Sequence, residues 1–403
     1  MQEGHILKVL QVTPELNAGG VERTTLEIAQ AISRAGGLAL VASAGGRLEP
    51  DLKAAGGELV RLPAASKNPF TVIANAFALA RIIRERGVDI VHARSRAPAW
   101  SALLAAKMSG VPFVTTFHGI YNARAALKRF YNSVMARGDV VIANSYYTRE
   151  HVLGHYSVDP ARVIAIPRGA DLDVFDARKV APADVAAMRT RWGLAQDDAR
   201  CVIIAPARLT RWKGQLVLIE AVKIIEARRP GALKVIFAGD AQGRTAYLRE
   251  METAIDAGNL REAVAIVGHV DNMPAAFAAS DIAVFPVIEA EAFGRGAVEA
   301  QAMGVPAVAS NLGGFTETIV DGETGLLVPP GVAVALAVAL ERLLDLGRDG
   351  RAAMGHLARD RARALYAVST LQAETLAVYR RLAGKAGRDS KKQGEANVRG
   401  GAV

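Results

Sequence analysis

The chain has 403 residues, 51% of them hydrophobic and 22% charged, with a formal net charge of +9. A chain of that length and ordinary globular composition is expected to fold as two domains. Its single cysteine, Cys201, excludes an intramolecular disulfide, and the longest apolar helix candidate, residues 332–340, is too short to span a bilayer. The first strand begins at Ile6 after a polar start, so no signal peptide is read and a cytoplasmic location is expected. Most of the positive excess falls in the first 190 residues. An anionic partner, such as a membrane surface or a phosphorylated acceptor, would explain it, as would an Arg-rich proteome. No nucleic-acid partner is expected.

Residues 6–12 read as a buried strand, and Asn17-Ala-Gly19-Gly20-Val-Glu-Arg23 leads from it into a helical pattern over 25–35. Strand, Gly-Gly and helix form either an anion seat at a helix start or a plain tight turn. The run is not G-x-G-x-x-G, which disfavours a nicotinamide cofactor. Strand-like runs follow at 38–43, 58–62, 89–93, 112–117, 139–144 and 163–166, with helical stretches such as 71–86 and 100–108 between them. Strands of Val, Ile and Ala alternating with helices indicate a parallel sheet covered on both faces. His118 closes the strand Thr116-Phe-His118-Gly119 at its carboxyl end, where open α/β sheets bind ligands, although an isolated His is also a common structural residue. Residues 124–137 carry Arg124, Lys128, Arg129 and Arg137 without an acid, and Leu127, Phe130, Tyr131 and Val134 recur at helical spacing. Such a helix either lies on an anionic membrane or packs its apolar stripe on the sheet. The pattern lapses around 177–198, read as the interdomain connection, and Asp171-Leu-Asp173 is read as a loop and not a metal motif.

A second α/β series starts at Cys201, expected to pack as a small buried hydrophobe. Arg208 and Lys213 occupy a strand end and the turn after it, where two cations can neutralise a diphosphate as its charge grows; the alternative is a pair of solvated loop cations. Further strands are expected at 234–238, before Gly239, and at 264–267, 282–287 and 306–309. Gly239 would let a nucleotide approach closely. The stretch Val-Ile-Glu-Ala-Glu291-Ala292-Phe293-Gly294-Arg-Gly-Ala-Val-Glu299 turns from the 282–287 strand into a helix. A helix starting near Gly294 offers unpaired amides and a partial positive charge to an anion. Glu291 and Glu299 would bracket that seat, the first near a transferred sugar and the second accepting ribose hydroxyls. The plain alternative is two solvated helix-end acids. Gly313-Gly314 and Glu317 follow, then helices over 332–346 and 352–366, a last helix over 371–382, and a Gly- and Lys-rich tail from 384 to 403 that is expected to be disordered.

Glu291-Ala-Phe-Gly-Arg-x-x-x-Glu299, then Ala-x-Ala-x-Gly-x-Pro-x-x-Ala-Ser and Gly-Gly, resembles the motif set of family 4 retaining glycosyltransferases of the GT-B fold, over roughly Gly19 to Leu382. The resemblance implies two doubly wound Rossmann-like domains with an interdomain cleft. The expected divisions are 1–180 on the acceptor side, a connection at 181–199, a nucleotide-sugar domain at 200–367, and a helix at about 368–383 crossing back to the first domain. It implies metal-independent transfer of a hexose from a UDP- or GDP-sugar, with no other cofactor, to a lipid-linked or envelope-glycan hydroxyl such as one of lipopolysaccharide. Arg208 and Lys213 would bind the diphosphate, with Glu291, Ala292, Phe293, Gly294 and Glu299 around the donor. His118 would face the sugar and Gly19-Gly20 the phosphates or the acceptor. Lipid-directed relatives of this type would place the basic residues Arg124, Lys128 and Arg129 on the inner face of the cytoplasmic membrane. A sugar-nucleotide epimerase or a non-catalytic sugar-nucleotide-binding subunit would share the architecture.

Overall fold

A computed structural model describes residues 5–17, 19–121, 125–195 and 197–384, with 385–400 placed only as the continuation of the closing helix. Apart from Gly384, the disordered tail expected over 384–403 therefore falls outside the residues described in full. The chain divides into two compact units, Met1–Pro167 with Ser369–Val403, and Arg168–Val368.

The first unit holds seven parallel strands in the order β3-β2-β1-β4-β5-β6-β7. They are β1 (Lys8–Val12), β2 (Leu38–Ser43), β3 (Gly57–Arg61), β4 (Ile90–Ala93), β5 (Phe113–Phe117), β6 (Val140–Ala143) and β7 (Val163–Ala165). Because side chains alternate along a strand, Leu10, Leu40, Val91 and Val141 enter one core while Val9, Val41, Ile90 and Ile142 enter another. The helices Pro69–Arg86 and Arg96–Ser109 cover the first face, contributing Leu79, Ile83, Ala99 and Leu103. The helix Gly20–Arg34 covers the second with Ile28 and Ile32, and the closing helix Val368–Gly400 adds Leu371, Leu376 and Tyr379 to that same core. Apolar residues on both faces explain the near-continuous hydrophobic strands.

The second unit holds six parallel strands in the order β10-β9-β8-β11-β12-β13. They are β8 (Cys201–Pro206), β9 (Leu233–Ala238), β10 (Val264–Gly268), β11 (Ile282–Phe285), β12 (Ala307–Ser310) and β13 (Gly325–Val328). Cys201 is buried, and burial pushes its thiol up to about 12, which removes it from nucleophilic chemistry.

The passage between units lies at Pro167 and Arg168, not over 181–199. Those residues instead form the helix Pro182–Arg191, whose Met188 enters the second unit's core with Trp192 and Leu194 just beyond it. Three buried apolar side chains within seven residues, Met188, Trp192 and Leu194, outweigh the polar composition that suggested a linker. Asp171 is a turn residue: its carboxylate accepts from the Asp173 amide at 3.0 Å and the Val174 amide at 3.2 Å, while Asp173 pairs with Lys179.

Candidate functional site

In each sheet the strand order reverses direction beside the first strand laid down, at β1/β4 and at β8/β11. Ligands of open α/β sheets bind outside the carboxyl ends of the strands at such a point. In the second unit the loops after β8, β11 and β12 meet there. The turn Arg211–Lys213 follows β8, and Gly214, at φ 74°, caps the next helix, Gln215–Arg228. A β-carbon at Gly214 would strike the Pro286 carbonyl oxygen, so the turn lies directly on the chain after β11. The Ile288 amide donates to the Trp212 carbonyl at 2.9 Å and fixes that contact.

This packing brings two of the expected site residues together. Lys213 Nζ lies 2.7 Å from Glu291 Oε2, with only 14% and 26% of the two side chains exposed. Glu291 is held from the other side, because its carbonyl accepts the Gly314 amide at 2.7 Å. Lys213 also sits 4.2 Å from the centre of the Trp212 ring. Trp212 was not singled out from sequence; its place between two cations in Arg-Trp-Lys was the available signal.

Gly294 adopts φ 80° and starts the helix Arg295–Ala302. Its left-handed backbone and the close Phe315 ring leave no space for a side chain. By helix geometry the first-turn amides have no carbonyl ahead of them within the helix. Ala292 and Phe293 are buried behind this turn, and the Phe293 ring meets Tyr366 edge-on with centroids 5.5 Å apart. One turn along, Glu299 Oε1 accepts from Arg295 Nε at 2.7 Å. Sequence reasoning left Arg295 without a role, yet it orients the carboxylate expected to hold ribose.

Arg208 is exposed at the end of β8, with its backbone fixed by Gln215, whose amide donates to the Arg208 carbonyl at 3.0 Å. Arg211, the extra cation of this loop, is engaged elsewhere in a two-bond pair with Glu250 at 2.8 and 2.5 Å. Gly239 serves the loops themselves: a β-carbon there would meet the Ala207 carbonyl, so its smallness is spent on loop packing.

The remaining candidates belong to the first unit. Gly19 precedes the helix that begins at Gly20, and His118 is half-buried just beyond β5. Arg94, missed from sequence, lies at the carboxyl end of β4 and is only 2% exposed. Its Nε and Nη2 donate to Gln11 Oε1 at 2.9 and 2.5 Å. Neighbouring His92 joins Tyr379 Oη at 2.5 Å and Thr116 Oγ1 at 2.7 Å. Burial drives the His92 imidazole well below its ordinary value, with help from the Arg94 charge.

Of the basic stretch, Arg124 lies outside the described residues. Lys128 and Arg129 are exposed on a short helix, Ala126–Asn132, followed by a 3-10 turn, Ser133–Ala136. The single amphipathic helix expected over 124–137 is thus broken in two. Val134 is fully buried while Leu127 and Phe130 are 80% and 57% exposed, so the apolar stripe is split between core and surface.

Comparison with known proteins bears directly on this geometry. Residues 18–174 match the model of Glycosyltransferase Family 4, and residues 200–346 match that of Glycosyl transferases group 1. A D-inositol 3-phosphate glycosyltransferase of Xylanimonas cellulosilytica is 31% identical over 291 residues, 68% of each chain. A glycosyltransferase structure from Rickettsia africae superposes with a TM-score of 0.87 at 34% identity, covering 94% of this chain and 98% of that one. This chain belongs to the GT-B glycosyltransferases. Anabaena Alr3699/HepE, solved in complex with UDP and glucose, shares the fold with a TM-score of 0.79 at 24% identity, covering 92% of this chain and 99% of that one.

Proposed function

We propose that this glycosyltransferase moves a hexose from a UDP-sugar to a hydroxyl with retention at the anomeric carbon, and that the second unit holds the donor. The observation that carries the reading is the Lys213–Glu291 pair beside the helix start at Gly294. It sets a half-buried cation, a carboxylate and a helix N-terminus at one strand-end crevice, which suits a ligand with both a diphosphate and a hydroxyl-bearing sugar. UDP and UDP-glucose bound to structural neighbours support the nucleotide choice.

In this mechanism the bond between the anomeric carbon and the β-phosphate oxygen breaks first. Arg208 and Lys213 receive the growing charge on the diphosphate, the role of a preorganised electrostatic clamp. Glu291 orients the sugar as positive character develops at its ring. The acceptor oxygen bonds to the anomeric carbon on the face the phosphate leaves, and its proton passes to the departing phosphate oxygen. No carboxylate pair for double displacement is needed, and the two cations do the work that a metal does in other transferases.

The acceptor we favour is a lipid-linked or envelope glycan met at the inner face of the cytoplasmic membrane. A soluble inositol phosphate is the second reading, since the curated relatives carry that name at 28–31% identity. Incubation with UDP-hexoses and either acceptor class, read by nucleotide release and by NMR of the product's anomeric configuration, separates the two. Inverted product, or nucleotide release indifferent to acceptor, would refute the proposal.

A further inference from the structure

Trp212 lies between the two loops of the donor crevice, and the transfer steps leave its ring unused. The turn that carries it is pinned by its own backbone: the Lys213 amide donates to the Thr210 carbonyl at 2.9 Å, and the Gly214 amide to the Arg211 carbonyl at 3.0 Å. The Trp212 carbonyl accepts from the Ile288 amide at 2.9 Å, and the indole is half-buried against the core of the second unit. Backbone and ring are therefore both fixed. The Lys213 ammonium lies 4.2 Å from the centre of that ring and 2.7 Å from Glu291 Oε2.

A lysine reaches its target on a flexible four-carbon stem, whereas an electrostatic clamp works only if its charge is in place beforehand. Glu291 by itself would draw the ammonium towards the carboxylate and away from an arriving diphosphate. An aromatic face acts differently. It attracts a cation through the ring quadrupole, and indole does so best among the aromatic side chains. That attraction consumes none of the three ammonium N–H donors. One of them reaches Glu291 here, so the ring keeps the cation over the crevice while its donors pass from carboxylate to phosphate oxygens. Arg211, in the same turn, makes the contrast: its guanidinium stands 5.5 Å from the Tyr247 ring, and two of its nitrogens are already bonded to Glu250.

We infer that Trp212 is the positioning residue of Lys213, its indole face holding the ammonium where Glu291 and the donor diphosphate exchange it. The inference rests on the proposed donor site and adds a residue to it. Its test is a double-mutant cycle on UDP binding by the full chain, measured by calorimetry. Trp212→Leu keeps apolar bulk against the core and removes the ring. It should weaken UDP binding about 3- to 30-fold in the parent chain, and by less than about twofold beside Lys213→Met. Trp212→Phe should recover most of the loss. Fluorinated tryptophans give a second probe that leaves the packing in place, since fluorine drains negative charge from the ring face. UDP affinity should fall with each added fluorine. In Trp212→Phe labelled the same way, where Trp100 and Trp192 remain, it should not change. An equal loss from Trp212→Leu with and without Lys213 would make the ring a matter of loop packing and overturn the inference. So would UDP affinity indifferent to fluorination. Lys213→Met binding UDP as tightly as the parent would instead overturn the donor-site reading itself.

Discussion

Lys213 and Glu291 neutralise each other across 2.7 Å, tying the loop after β8 to the loop after β11. A donor diphosphate must compete with Glu291 for that ammonium, and the two partners should therefore fail differently when removed. Lys213→Ala should weaken UDP binding and lower turnover together. Glu291→Gln frees the cation and removes a repulsion from the diphosphate, so UDP affinity should hold or rise while kcat falls by roughly 10²–10³. Calorimetric titration with UDP beside steady-state kinetics reads both. Because the residues touch, the double variant should cost less than the sum of the singles.

The neighbouring arginines provide a specificity control. Arg208 is exposed at the strand end, whereas Arg211 is already committed to Glu250. Arg208→Ala should raise the donor KM about 10–100-fold, the loss expected for a charge-assisted bond to phosphate. Arg211→Ala should leave the donor KM within about twofold, since an exposed pair contributes at most ~1 kcal/mol to stability. Equal effects would mean that the loop acts only as diffuse positive charge.

Gly214 is where the backbone has no alternative. At φ 74° and against the Pro286 carbonyl, an alanine meets both torsional strain and a collision with main chain. Gly214→Ala should destabilise the second unit by ~2–4 kcal/mol and lower its melting temperature. Any folded fraction should bind UDP poorly, because Lys213 is carried by the displaced turn.

His92 makes the first unit sensitive to acid. Its folded-state value lies well below 6.5 because burial disfavours the imidazolium, so below pH 6.5 the unfolded chain takes up a proton that the folded chain refuses. The stability is fully present above pH 6.5 and is lost progressively as pH falls from there towards the depressed folded value. Chemical denaturation of the wild type and of His92→Gln between pH 7.5 and 5 should show a steeper loss in the wild type. Parallel curves would show that other groups set the acid limit.

Much of this architecture was legible because parallel strands write themselves as apolar runs, and Val, Ile and Ala in 38–43, 139–144 and 282–287 did so plainly. The span 181–199 misled because a helix can be anchored by Met188 alone, with Trp192 and Leu194 just past its end, under a mostly polar surface. The stretch 124–137 misled for the opposite reason: its helical spacing is real, but Val134 is claimed by the sheet while Leu127 stays outside, which a periodicity alone does not reveal. Motif spacing singled out Glu291, Glu299 and Lys213, and the structure joins Lys213 to Glu291 and Arg295 to Glu299. Arg94 and the committed state of Arg211 were not legible, since each depends on a partner, Gln11 or Glu250, distant in sequence.

The most direct test of the donor site is the thermal shift given by UDP-glucose and by UDP in the wild type and in Arg208→Ala with Lys213→Ala. Ligand bound only by the folded state raises the melting temperature with the logarithm of its concentration over Kd. A concentration-dependent rise in the wild type, absent from the double variant at the same ligand concentrations, is the predicted result. An undiminished rise in a folded double variant would place the diphosphate elsewhere and contradict the account.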